Sequence, residues 1–138
     1  METKKTYSDK YIHQILSNIK TIALVGASSD STKDSYKVMQ FLLEKDYQVI
    51  PVNPYEAGKN ILGQYCYADL HSVTEPIDMV EVFRKSEAVF DIAKDAINIK
   101  AKVLWTQLGV VHEEAANMAQ KAGLKVVMNK CPKIELQK

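Results

Sequence analysis

The residues able to do chemistry in this 138-residue chain cluster in a few short loops. Val25-Gly26-Ala27-Ser28-Ser29 leaves an apolar run and leads toward a segment with helical spacing. A glycine there permits a tight turn and lets a ligand approach the backbone closely. Free N–H groups at a helix start, with the positive end of the helix dipole, favour a phosphate. Ser28, Ser29, Ser31, Thr32 and Ser35 add hydroxyl donors, and Lys33 adds charge. Read as a plain solvated turn, the same loop needs Gly26 only for its backbone angles, and the loop alone leaves both readings open.

Arg84 is the only arginine; all the other basic residues are lysines. A planar guanidinium grips a phosphate with two hydrogen bonds, which an ammonium group does not do in that geometry. Phe83 beside it offers an aromatic face and Lys85 a second charge. The alternative is an ordinary surface residue before a helix. Gln107 and Gly109 follow a strand-like run and are placed to touch a ligand, whereas Trp105 lies inside that run and is expected in the core.

Several chemistries lack their residues. There is no G-x-G-x-x-G and no G-x-x-x-x-G-K-[ST], and Val52-Asn53-Pro54 has no acid for a ribose hydroxyl. These gaps count against NAD, and more strongly against an NTPase. His13, His71 and His112 share no metal-ligand spacing with each other or with Cys66 and Cys131, so capping or solvated roles are expected and no metal site. Asp78 and Glu81 fall within a strand rather than beyond its end, and Glu135 is near the tail. No catalytic residues are assigned, which favours a binding module. Cys131 is read either as an inert buried thiol or as one that reaches the ligand crevice.

The elements that must position these loops follow from periodicity. Helices are predicted over Ser8–Ile19 (capped by Ser8 or Asp9), from about Ser35 to Lys45, from Ser86 as cap to Ile99, and over Glu113–Ala122 with an alanine face and Gly123 beyond it. Apolar runs predict strands at Thr21–Gly26, Gln48–Val52, Ile77–Phe83, Lys102–Thr106 and Leu124–Met128. Tyr55–Pro76 is less regular, with a short extended piece near Tyr65–Tyr67 and a helical turn near Asp69–Val73. Strands alternating with helices imply right-handed crossovers and a parallel sheet covered on both faces. Ligands of such sheets bind beyond the carboxyl ends of the strands. Those positions are Gly26–Ser29, Asn53–Pro54, Phe83–Lys85, Thr106–Gly109 and Asn129–Pro132.

Composition sets the outer limits. The chain is 46% hydrophobic and 25% charged with a net charge of +1, as expected of one globular domain spanning residues 1–138. Nothing basic enough for nucleic acid and no run long enough for a membrane is present. Lys4 and Lys5 are not followed by an apolar stretch, so no secretory signal is expected. With two cysteines, a cytoplasmic location is expected. Met1–Thr6 and Leu136–Lys138 are the expected loose ends.

In this order and spacing the motifs become specific. Val25-Gly26-Ala27-Ser28 with Ser35-Tyr36, Ile50-Pro51-Val52-Asn53-Pro54, Leu62-Gly63, Asp78 through Val82-Phe83-Arg84, Val103 through Gly109, and Cys131 with Lys133-Ile134-Glu135 resemble the small CoA-binding family of single domains. That family is similar to the CoA-binding domain of the succinyl-CoA synthetase alpha subunit. The resemblance covers about Thr21–Glu135. It implies a Rossmann-like α/β fold, a doubly wound parallel sheet of about five strands flanked by helices. It also implies coenzyme A, or an acyl-CoA, across the strand ends. The diphosphate would meet Gly26, Ala27 and Ser28, with Lys33 and Ser35 near it. The nucleotide portion would approach Asn53 and Pro54. Phe83 with Arg84, and Gln107 with Gly109, match two further family motifs at the cofactor edge. Asp30 and Asp34 make the phosphate loop less basic, and Pro132 stands where the family more often has an aliphatic residue. The domain that supplies ligase chemistry in the larger enzymes is not recognised, so ligase activity is not carried over. An NAD(P)-dependent oxidoreductase or other nucleotide-binding enzyme, an acyl-CoA enzyme using Cys131, and a protein-interaction module are the competing readings.

Overall fold

The computed structural model describes residues 7–138; the expectation for Met1–Thr6 lies outside them. Its core is a five-stranded parallel sheet made of β1 (Thr21–Val25), β2 (Gln48–Val52), β5 (Met79–Val82), β6 (Val103–Thr106) and β7 (Lys125–Val127), in the order β2-β1-β5-β6-β7. Every residue of β1, β5 and β6 is buried, because helices cover both faces. Helices α1 (Asp9–Ser17), α2 (Asp34–Glu44) and α5 (Pro132–Leu136) lie on one face, where Ile12, Leu16, Val38, Met39 and Cys131 join the core with Leu24 and Trp105. Helices α3 (Val89–Asn98) and α4 (Glu113–Lys121) cover the other through Ala93, Ala96, Ala115 and Ala119. Small side chains on both helices let their axes lie close to the sheet and to each other. This is the Rossmann-like α/β architecture implied above.

Local chemistry sets the ends of the elements. Ser8 Oγ accepts from the Tyr11 amide at 3.0 Å, so Ser8 caps α1. His112 Nδ1 accepts from the Ala115 amide at 3.1 Å and caps α4, one of the capping roles expected for the histidines. Gly123, with φ of +98°, follows α4 in the left-handed conformation that ends a helix.

Three sequence expectations need correction. Ser86 does not cap α3. It opens a 3-10 turn, Ser86–Ala88, and its Oγ accepts from the Val111 amide at 3.1 Å. The tail is not loose through Leu136, because residues 132–136 form α5 and Leu136 packs on the core. Asp78 precedes β5 rather than lying in it. Its Oδ2 accepts from the amides of Lys20 and Thr21 at 2.8 and 3.1 Å, which ties β5 to the start of β1.

The irregular stretch contains a small hairpin, β3 (Asn60–Ile61) and β4 (Gln64–Tyr65), turning at Leu62 and Gly63. Both turn residues have positive φ, 51° and 81°, as a two-residue hairpin turn of the I′ type requires. A bridge from Val52 to Tyr67 ties the hairpin to the end of β2.

Candidate functional site

The chain order reverses beside β1. The connection leaving β1 runs to α2 on one face, and the one leaving β5 runs to α3 on the other. The two loops therefore diverge at the carboxyl edge and leave a crevice at this switch point.

Gly26 sits at its floor. Its N–H donates to Val52 O in β2 at 2.8 Å, while the neighbouring Val25 carbonyl accepts from the Phe83 amide after β5 at 2.7 Å. The φ of Gly26 is +96°, and a Cβ there would lie 2.3 Å from Phe83 O and 3.1 Å from Arg84 Cδ. Only glycine fits, which answers the question of what Gly26 is for: both its angles and its clearance are required.

Above that floor is a cavity of about 300 Å³. Gly26, Ala27, Ser28, Lys33, Ser35, Asn53 and Phe83 line it together with Asp34. The elements explain the arrangement. Asn53 Nδ2 donates to Ala27 O at 2.8 Å and its Oδ1 accepts from Tyr55 N at 2.9 Å, so one side chain joins the loops after β1 and β2. Ser28 Oγ accepts from Asp30 N at 3.0 Å, leaving its hydroxyl proton free to donate elsewhere. Asp30 in turn accepts from the Thr32 amide and hydroxyl at 2.9 and 2.7 Å. Those two bonds, with Lys33 nearby, hold its carboxyl below the usual aspartate value. Lys33 is the N-cap residue of α2, and its side chain makes no capping bond to the helix start. First-turn amides have no intrahelical acceptor, so α2 presents donors to this edge.

The remaining predicted residues stand outside the cavity lining. Arg84 is exposed, packed by its Cδ near Gly26, and enters no ion pair among the described residues. Pro54 starts a 3-10 turn, Pro54–Glu56, on the far side of Asn53. The Gln107 backbone N–H donates to Val82 O at 3.1 Å, and Gly109 N donates to Asn129 Oδ1 at 2.7 Å. These two join the β6 edge to the end of β5 and to the loop after β7, one strand further from β1. Cys131 is 5% exposed and is not part of the lining; Cys66 is fully buried, and burial pushes its thiol up.

Sequence reasoning passed over two features. Glu56, in the turn after Asn53, reaches the loop after β1 at Ser29. The two are 27 residues apart, so no local pattern could have joined them. Glu81, midway along β5, is fully buried, and neither carboxylate oxygen has a hydrogen-bond partner among the described residues. Desolvation, with the Cys131 thiol as a second cause, pushes its carboxyl well above the usual glutamate value. It packs in the Leu24–Glu81–Trp105 row beneath the crevice.

The fold and this edge define a class: a small Rossmann-like α/β domain with amide, hydroxyl and ammonium donors gathered at its switch point. The chain belongs to the CoA binding domain family, whose sequence model matches residues 20–137. It is 37% identical over 123 residues to the uncharacterized protein YneT of Bacillus subtilis (strain 168), covering 89% of this chain and 90% of that one. It superposes on a hypothetical protein from Pyrococcus horikoshii OT3 with a TM-score of 0.90 at 36% identity, over 99% of this chain and 97% of that chain. The same fold recurs in a dinucleotide-forming acetyl-coenzyme A synthetase from Ca. Korarchaeum cryptofilum (TM-score 0.69, 24% identity), where 82% of this chain matches 26% of that one.

Proposed function

We propose that this domain binds CoA or an acyl-CoA at the carboxyl edge of its sheet and works by binding rather than by catalysis. The observation that carries the reading is the cavity at the switch point, where Gly26, Ser28, Lys33, Ser35 and Asn53 converge in a chain of the CoA-binding family. In this reading the CoA diphosphate lies against the Gly26–Ser28 backbone and the start of α2. The start of α2, where Lys33 makes no side-chain cap, fits such a group. Arg84, free of any ion pair among the described residues, is the guanidinium that closes on a phosphate from the β5 side, with Phe83 beneath it. Asn53 and Pro54 border the nucleotide portion, and Gln107 and Gly109 lie toward the pantetheine arm. Asp34 in the lining opposes an anion, so Lys33, Arg84 and the helix dipole must outweigh it.

Membership of the CoA-binding family favours CoA over NAD as the ligand, as does the absence of an acid in Val52-Asn53-Pro54, where β2 ends. We assign the whole chain to a single domain acting in the cytoplasm, where free thiols such as Cys66 and Cys131 are at home. The test is a thermal shift of the purified protein with CoA, acetyl-CoA, NAD and NADP. A ligand at 100 times its Kd adds about 2.7 kcal/mol to stability. Stabilisation by CoA and not by NAD is the expected result. A shift with NAD(P) alone would transfer the protein to the dinucleotide-dependent enzymes, and no shift with any of them would favour a protein-interaction role.

A further inference from the structure

The turn after β2 and the loop after β1 share a contact beside the cavity lining. Ser29 Oγ donates to Glu56 at 2.9 Å from Oε1 and 3.2 Å from Oε2, and the Ser29 backbone N–H donates to Oε2 at 3.3 Å. On its other side Glu56 Oε1 lies 3.0 Å from Lys59 Nζ. The Glu56 side chain is only 16% exposed in this embrace, whereas Lys59 is 60% exposed. Lys59 first, then the Ser29 hydroxyl and amide, hold the Glu56 carboxyl below the usual glutamate value, so the group is an anion at neutral pH.

A main-chain N–H and a hydroxyl on a Gly/Ser loop at a strand's carboxyl end, with an ammonium group alongside, are the donors that a phosphate oxygen takes. Here the chain supplies its own anion to them. Ser29 adjoins Ser28, which lines the cavity, and Asp34 already places one negative charge there. A diphosphate arriving beside a fixed Glu56 would meet a second, offset only by a solvated lysine.

We propose that Glu56 is an internal competitor for anionic ligands: it occupies the Ser29 donors in the free protein, and a phosphate-bearing ligand binds by taking them over while Glu56 swings out with Lys59. This rests on the reading of the loop as a diphosphate site. Its consequence is selectivity. A ligand carrying the charge of a diphosphate replaces the carboxylate on the Ser29 donors, while a neutral ligand leaves it in place.

The experiment uses two probes, CoA and inorganic pyrophosphate, on the parent and on Glu56→Gln, which keeps the shape and removes the charge. Calorimetry gives Kd, and the amide resonance of Ser29 reports on its bonding partner. Expected is an affinity about two- to fivefold tighter in Glu56→Gln, the size of a partly screened charge contact, with the gain shrinking as salt is raised. The Ser29 resonance should move on saturation in both proteins. Unchanged or weaker affinity in Glu56→Gln overturns the inference and makes Glu56 a brace. CoA binding that leaves the Ser29 resonance in place also overturns it but spares the proposed function. If neither protein binds CoA, the proposed function fails and pyrophosphate decides this inference alone: tighter binding to Glu56→Gln upholds it, and a Ser29 amide that never responds overturns it.

Discussion

Gly26 and Phe83 meet backbone to backbone, with room for no carbon between them: a Cβ on residue 26 would fall 2.3 Å from the Phe83 carbonyl oxygen. The loops that diverge from β1 and β5 are pinned together at their roots, and the crevice opens immediately above.

Substitution at this point should therefore act on fold and ligand together. Gly26→Ala forces both a positive φ and an impossible contact, and should cost at least about 1–3 kcal/mol of stability. Gly26→Val should be worse and should abolish CoA binding in whatever fraction folds. Chemical denaturation gives the first quantity and calorimetry the second. Parent-like CoA affinity in Gly26→Val would move the phosphate site elsewhere.

Arg84 is the converse case, exposed and unpaired among the described residues, so its loss should be felt by the ligand and not by the fold. Arg84→Ala should leave Tm unchanged and weaken CoA about 10- to 150-fold, the worth of a charged hydrogen-bonded contact of about 1.5–3 kcal/mol. Arg84→Lys should recover only part of that, because an ammonium cannot make the paired contact. Equal CoA affinity in parent and Arg84→Ala would remove Arg84 from the site.

Glu81 makes stability depend on pH. Its folded carboxyl titrates well above the ordinary glutamate value, so the folded chain keeps a proton that the unfolded chain gives up. The contribution is fully present below the ordinary value and is lost as pH rises toward the folded one. Glu81→Gln removes the titration. Its Tm relative to the parent should be higher at pH 8 than at pH 4. A difference that does not vary with pH would show that the carboxyl is not the titrating group.

Asp78 should give the opposite slope. Burial alone would raise its carboxyl, but the amides of Lys20 and Thr21 and the Lys102 ammonium outweigh that and leave it below the usual value. Its contribution is present above the ordinary aspartate value and fades as pH falls through the folded one. Asp78→Ala should cost about 2 kcal/mol at pH 7, from two charge-assisted bonds only partly screened by solvent, and less at pH 3. Urea denaturation at the two pH values tests it.

The sheet was legible because doubly covered strands must read as unbroken apolar runs, and Thr21–Val25 and Val103–Thr106 do so. The edge loops were legible from Gly, Ser, Asn and Pro at the ends of those runs. Helix α5 was not, since five residues beginning at Pro132 are too few to show a 3.6-residue period. The β3–β4 hairpin has two-residue strands, too short to alternate visibly. Ser86 looks like a cap in sequence, but the chain makes a 3-10 turn there and Val111, 25 residues away, takes its hydroxyl. Glu81 sat in plain view within an apolar strand, yet only the packing above and below it reveals that its charge has nowhere to go. Glu56 and Ser29 share no local pattern because their meeting depends on how the ends of β1 and β2 are aligned.

The two hydrogen bonds around Gly26, one to β2 and one from beyond β5, work as a stitch through three neighbouring strands. A hinge at that peptide would have to rip both seams at once. The root of the loop is thus a fixed anvil, and any accommodation to a guest is left to the stretch from Ser28 to Asp34, which is sewn down by its own serine, threonine and aspartate side chains and by Glu56. Strain delivered at the anvil reaches both halves of the sheet together, so occupancy of the crevice should slow amide exchange in β2 and β5 alike, although the two strands are not neighbours in the sheet.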